Sequence, residues 1–120
     1  MDYSTEELTE KVINWVADKK AEHIVTIDVK DGNYTDKIVV CTGGSDLHIK
    51  AIADNVLDRC KEEKVLILSK EGLDAKVWVL IDFGSVILHV FKDELRKHYN
   101  LESLWKERNA EIKNIERVYS

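Results

Sequence analysis

The chain has 120 residues, no proline and two cysteines, and its 18 Lys and Arg against 23 Asp and Glu give a formal net charge of −5. This length suits a single domain, residues 1–120, whose core needs no metal or disulfide for support. The acidic balance argues against a broad nucleic-acid surface, because nonspecific affinity for phosphates needs clustered cations.

Strand and helix patterns alternate along the chain. A capping box of Ser4 and Glu7 opens a helix that ends near residue 20, and a second helix begins at Ser45 or Asp46. Later helices are predicted at 92–98 and about 101–118. Runs of β-branched and apolar residues predict strands at 23–29, 37–41, 65–68, 77–82 and 86–91. The pattern indicates one α/β domain with a mixed sheet of about five strands flanked by helices.

The second helix has an apolar stripe that includes one of the two cysteines. Core packing is therefore the expected role of that cysteine. The stripe consists of Ile49, Ile52, Ala53, Val56 and Cys60.

Targeting and membrane signals are weak in this sequence. Its uncharged runs are far shorter than the roughly 20 residues that span a bilayer. The first ten residues are acidic and polar, unlike a secretory signal or an organellar transit segment. We therefore expect a cytoplasmic protein without a membrane partner.

The strand pair around residues 83–84 has two different faces. One face is uniformly aliphatic and suits the core, whereas the other mixes aromatic, aliphatic and polar side chains. A one-residue slip in register would exchange the two faces, and Phe83 needs a permissive backbone geometry if 83–84 form a tight turn. With 83–84 as the loop, the mixed face has Trp78 opposite His89, Leu80 opposite Ile87, and Asp82 at its rim.

Two interpretations of the mixed face remain open on the pattern alone. In one, a helix covers the face, Trp78 fills a gap and His89 is hydrogen-bonded, as aromatic residues often are in small α/β proteins. In the other, part of the face is an open partner-binding surface with Trp78 as its anchor.

Catalytic and metal-binding patterns have little support. The turn Gly43-Gly44-Ser45 before a helix resembles a phosphate cradle, but it lacks the P-loop lysine, and no paired carboxylates follow it to hold metal ions. The four histidines lie in separate elements, and the two cysteines form no CxxC pair. We therefore expect no catalytic residues, no metal and no cofactor, and a nucleotidyltransferase-type enzyme is the alternative that rests on the Gly-Ser turn alone.

Six short segments, in order and at their spacings, resemble the ribosomal silencing factor (Iojap-like) family. The resemblance extends from about Leu8 to Trp105. The segments are C-T-G-G-S-D at 41–46, K-A-I-A at 50–53, E-G at 71–72, W-V-L-I-D-F-G at 78–84, H-V-F at 89–91 and L-E-S-L-W at 101–105.

This resemblance implies a small noncatalytic factor with a nucleotidyltransferase-like fold that lacks the active site. Such a factor binds the large ribosomal subunit, chiefly its protein fourteen, and sterically blocks joining of the small subunit, which lowers translation when nutrients are scarce. Carried over by position, the partner-binding residues would be Trp78, Leu80, Asp82, Phe83, Gly84, His89, Asp46 and Lys50.

The sequence departs from the family pattern at the start of the second helix. The Ser-Asp-Arg-Gln run of the family matches residues 45–48, so Leu47 and His48 replace the usual cation and amide. A further alternative is an adaptor whose exposed face serves self-association, for example as a homodimer of the free protein.

Overall fold

The computed structural model describes residues 3–29, 36–99 and 111–115. In these ranges the prediction of an α/β domain with a mixed sheet flanked by helices is confirmed, but the sheet has six strands rather than five. The elements are α1 (Thr5–Ala17), β1 (Glu22–Asp28), β2 (Lys37–Gly43), α2 (Asp46–Glu63), β3 (Ser69–Glu71), β4 (Trp78–Asp82), β5 (Val86–Lys92), α3 (Asp93–Tyr99) and β6 (Glu111–Ile115).

The strands lie in the order β3-β4-β5-β2-β1-β6. The neighbours β2 and β5 are parallel, and the other four pairs are antiparallel. A parallel pair needs a crossover connection, which here includes α2. The strands β3 and β6 stand at the two ends of this order and form the two edges of the sheet.

Helices α1 and α2 cover one face of the sheet. The capping box is confirmed, since the Ser4 hydroxyl accepts from the Glu7 amide and the Glu7 carboxylate accepts from the Ser4 amide. The predicted stripe of α2 is the buried side of that helix, and it includes Cys60. Burial raises the pKa of the Cys60 thiol to about 11, which keeps it protonated. The main core therefore lies between these two helices and the sheet.

The opposite face of the sheet carries a second, smaller cluster of buried apolar residues. Leu95 of α3 and Trp78 pack against this cluster. Arg96 fastens α3 to the sheet, because its guanidinium donates to the His23 carbonyl at 2.6 Å and to the Thr42 hydroxyl at 2.8 Å. The buried members are Val25, Ile27, Val29, Ile38, Val40 and Phe91.

The C-terminal part of the chain differs from the predicted helix over about 101–118. Residues Glu111–Ile115 form β6, antiparallel to β1, while 101–110 and 116–120 lie outside the described residues. Ile112 and Ile115 have the spacing of a helical stripe, yet in a strand they point to opposite faces. Ile112 packs against the smaller cluster and Ile115 against the main core, so β6 contributes apolar side chains to both faces of the sheet.

The third strand lies later in the chain than predicted. Residues 65–68 belong to no strand, although the Leu68 amide donates to the Asp82 carbonyl at 2.8 Å, and the paired strand residues are Ser69–Glu71. Val65 and Ile67 pack against the main core, whereas Leu66 and Leu68 are exposed. The run of β-branched and apolar residues at 65–68 predicts a strand, but the ladder with β4 is formed by the polar residues that follow.

Within the described residues, no helix is both long and apolar enough to cross a membrane.

The predicted likeness of the fold to that of nucleotidyltransferases stays a prediction.

Candidate functional site

The strands β4 and β5 form a hairpin whose register differs by two residues from the predicted one. Trp78 lies opposite Phe91, and Leu80 lies opposite His89. The predicted pairs of Trp78 with His89 and of Leu80 with Ile87 are therefore wrong. A shift by two keeps each side chain on its face, because side chains alternate with a period of two. The division into an aliphatic face and a mixed face is unchanged.

The hairpin loop explains the shift. The Phe83 amide donates to the Val86 carbonyl at 2.9 Å, so the loop is Gly84-Ser85 rather than 83–84. Gly84 has a φ of +97°, which suits glycine far better than phenylalanine. The Asp82 carboxylate accepts from the Gly84 amide at 2.8 Å and holds the turn.

Among the residues that the structure describes, three rings form a cluster on the mixed face of the hairpin. The rings of Trp78 and Phe91 are stacked with centroids 5.0 Å apart, and the His89 ring lies 5.9 Å from Trp78 and 5.8 Å from Phe91. The indole Nε1 of Trp78 donates to Nδ1 of His89 at 2.9 Å. We call Trp78, His89 and Phe91 the aromatic cluster.

Burial differs within the aromatic cluster. Phe91 is buried, His89 is 8% exposed, and Trp78 is intermediate. Burial lowers the pKa of His89 to about 4, so its imidazole is neutral at physiological pH and can accept the indole proton. The cluster thus contains a partly exposed tryptophan whose indole N–H already has an acceptor.

The predicted site residues divide into three groups. Leu80 and Asp82 share the face of Trp78 and His89, and both are partly exposed. Phe83 instead points into the main core, where it is 8% exposed, and Gly84 forms the turn beside it.

The two predicted residues on α2 lie on the face of the sheet that α1 and α2 cover. Asp46 forms an ion pair with Lys92 at 3.0 Å, and Lys50 pairs with Asp54 one turn along the helix. That hydrogen bond to Asp54 raises the pKa of Lys50. Lys92 directly follows Phe91 in β5, so its ion pair places Asp46 near the end of the strand that carries Phe91 and His89. Asp46 lies on the opposite face of the sheet from the aromatic cluster.

A family model described as "Ribosomal silencing factor during starvation" matches residues 2–119 of the chain. The chain belongs to this family. It is 39% identical over 103 residues to ribosomal silencing factor RsfS of Halalkalibacterium halodurans, covering 85% of this chain and 88% of that protein. It is also 30% identical over 100 residues to the mouse protein named mitochondrial assembly of ribosomal large subunit protein 1, covering 78% of this chain and 43% of that protein.

The fold is shared with a solved relative. A crystal structure of a protein from Chromobacterium violaceum matches with a TM-score of 0.83 and 31% identity, covering 87% of this chain and 88% of that one. The resemblance of the sequence to the silencing factors is therefore confirmed at the level of family and fold.

The Gly43-Gly44-Ser45 turn serves packing and capping in this family member. A Cβ on Gly43 would lie 2.5 Å from Cγ1 of Ile49, and the Ser45 hydroxyl accepts from the His48 amide. His48 Nδ1 accepts from the Gly44 amide at 2.9 Å, and its Nε2 lies 2.8 Å from the Lys19 carbonyl. A histidine thus links α1 to the start of α2 at the position where the family pattern has an amide. Among the described residues, no three His, Cys, Asp or Glu side chains are grouped to hold a metal.

Phe91 and Lys92 are the site residues that the sequence reasoning missed. Phe91 forms the floor under Trp78, and Lys92 carries the ion pair to Asp46. The signal for Phe91 was present, because it lies two residues after His89 and so shares its face.

Proposed function

We propose that this chain is a noncatalytic silencing factor that binds the large ribosomal subunit through its protein fourteen. Bound there, it sterically blocks joining of the small subunit and lowers translation when nutrients are scarce. Family membership supports the silencing role, and the name of the mouse relative supports a large-subunit partner. The setting that we propose is the cytoplasm.

The observation that carries the proposal is the aromatic cluster. Trp78 stacks on Phe91 and is partly exposed on the mixed face of the hairpin. Interface hot spots are enriched in tryptophan, and a rigid aromatic ring loses little entropy on docking. Leu80 adds apolar area beside it, and the Asp82 carboxylate at the rim is suited to a basic side chain of the partner.

Net charge supports a protein partner over exposed RNA. At −5 the chain is repelled by phosphates, whereas a basic ribosomal protein offers complementary charge. We therefore propose a compact protein–protein contact without a direct nucleic-acid site.

The substitution Trp78→Ala tests the proposed surface. Loss of a hot-spot anchor should weaken binding to purified large subunits by about 2–4 kcal/mol, which is roughly a 30- to 1,000-fold increase in Kd. Cosedimentation with purified large and small subunits measures both binding and the fraction of joined ribosomes.

Arg59→Ala is the matched control, because Arg59 is an exposed residue of α2, on the opposite face of the sheet from Trp78. It should bind and block joining like the unmodified protein. If a folded Trp78→Ala protein binds as tightly as the control, Trp78 lies outside the contact.

We also infer that the free protein self-associates through the edge at β3. The two exposed leucines Leu66 and Leu68, 73% and 59% exposed, precede this edge strand. Apolar side chains beside unpaired strand edges favour pairing with a second copy.

A further inference from the structure

His89 lies at the centre of the proposed surface but offers almost no area to a partner. It is 8% exposed, and its cross-strand neighbours are Leu80 in β4 and Val40 in β2. A polar ring persists on an apolar face when its polar atoms are satisfied. Its hydrogen bond from the Trp78 indole meets that need at Nδ1.

We propose that His89 is a positioning residue, whose Nδ1 fixes the Trp78 indole in its docking orientation, and not a contact residue. The inference rests on the proposed function of the Trp78 surface. A neutral imidazole that accepts at Nδ1 carries its proton on Nε2, so one tautomer is selected. Burial of His89 keeps the ring neutral and the acceptor available.

The geometry shows why the indole needs this acceptor. Stacking on Phe91 positions the plane of the Trp78 ring but by itself does not fix the rotation of the ring in that plane. The bond to His89 opposes such rotation, because it ties one edge of the ring to a side chain on the neighbouring strand. Without the acceptor, the indole N–H would lose this hydrogen bond.

The same bond determines what the partner can recognise. The indole N–H is engaged within the protein, so the partner meets the carbon surface of the ring. Apolar side chains, or a cation placed over an exposed part of the ring, fit such a surface. Affinity then depends on a preorganised ring more than on a new hydrogen bond.

Two substitutions at His89 separate the acceptor from the ring. His89→Phe keeps a flat ring but removes the acceptor, whereas His89→Gln keeps an acceptor without the ring. In the free protein, the indole N–H signal of Trp78 is identified in a ¹⁵N–¹H spectrum by its loss in Trp78→Phe. We expect its hydrogen exchange to become on the order of five- to tenfold faster in His89→Phe, as loss of one hydrogen bond implies. In His89→Gln the exchange should stay closer to that of the unmodified protein.

Binding to purified large subunits then tests the role in docking. His89→Phe should weaken binding by on the order of five- to tenfold in the native background. In the Trp78→Phe background, which has no indole N–H to hold, the same change should have little effect. The remaining backbone signals of each spectrum show whether the variant is folded, and His89→Leu, which also lacks an acceptor, serves if His89→Phe is not.

Each other outcome is decisive. Equal losses in both backgrounds would make His89 a direct contact and overturn the inference. Unchanged exchange of the indole N–H in both His89 variants would overturn it without any ribosome. Unchanged binding of Trp78→Ala would instead remove the proposed surface, while the exchange data still report whether His89 holds the indole.

Discussion

At the scale of single residues, burial of His89 couples stability to pH. Its pKa is lowered to about 4 in the folded protein, from 6.5 for an ordinary histidine. Between these two values the unfolded chain binds the proton and the folded chain does not. Stability must therefore fall as the pH decreases from about 6.5 to about 4, and this contribution levels off at lower pH. The full shift is equivalent to roughly 3 kcal/mol.

The comparison with His89→Gln isolates this contribution. Carboxylates elsewhere also titrate in acid, but they do so in both proteins. We expect the unmodified protein to lose more free energy of unfolding than the variant between pH 7 and 4.5, measured by urea unfolding. Equal losses in the two proteins would show that His89 is not held neutral.

The residues of the site were only partly predictable. The alternation along β4 and β5 placed Trp78 and His89 on one face, because an error of two residues in register preserves the face. The partner of each residue was not predictable from alternation. The register depends on which two residues form the loop. The positive φ at Gly84, which identifies the loop as 84–85, is not visible in the alternation pattern. The motif position of Phe83 predicts a place in the site, whereas the alternation of side chains along β4 and into the turn places it in the core.

At the scale of elements, the loop between β3 and β4 fixes the start of the strand that carries Trp78. Gly72 in this loop has a φ of +81°, and a Cβ there would overlap the Trp78 carbonyl oxygen. The Lys76 amide donates to the Gly72 carbonyl and closes the loop. Gly72→Ala combines a strained backbone with a backbone clash. We expect it to lower the free energy of unfolding by about 1–3 kcal/mol, measured by urea unfolding.

Gly44→Ala is the matched control for this loop. A Cβ on Gly44 would meet its nearest atom, Nδ1 of His48, at 3.8 Å, and its φ is not positive. Its stability should change much less than that of Gly72→Ala. If the two variants unfold alike, close approach to the Trp78 backbone is not the reason for glycine at 72.

Elements with a strong local signal were predicted, and those defined by distant partners were not. Helix α2 has both a cap at Ser45 and a continuous apolar stripe, and its buried residues are those expected. Strand β6 has only two isoleucines, and their spacing fits a helix as well as a strand that is buried on both faces. Only pairing with β1 decides between them, and β1 lies more than 80 residues earlier in the sequence.

At the scale of the whole molecule, the sheet separates three surfaces. Helices α1 and α2 cover one face, the aromatic cluster lies on the other, and the leucines at 66 and 68 border the β3 edge. The net charge of −5 disfavours contact of any of these surfaces with exposed RNA. This charge supports the proposed contact with a basic protein on the ribosome.

Self-association belongs to this scale because it depends on which edge of the sheet is uncovered. We expect the average mass of the free protein to rise from monomer toward dimer as concentration increases, measured by sedimentation equilibrium. Leu66→Glu should keep the protein monomeric over the same range. A charge at this edge opposes pairing with a second copy, since it would have to be buried in the contact.

Leu47→Glu is the control, because Leu47 is a leucine of similar exposure, 77%, on α2 instead of the β3 edge. If exposed apolar area anywhere drove association, both variants would be monomeric. If the β3 edge drives it, only Leu66→Glu is monomeric and Leu47→Glu associates like the unmodified protein. A protein that stays monomeric at every concentration without substitution would contradict self-association altogether, and the β3 edge would then be available to other partners.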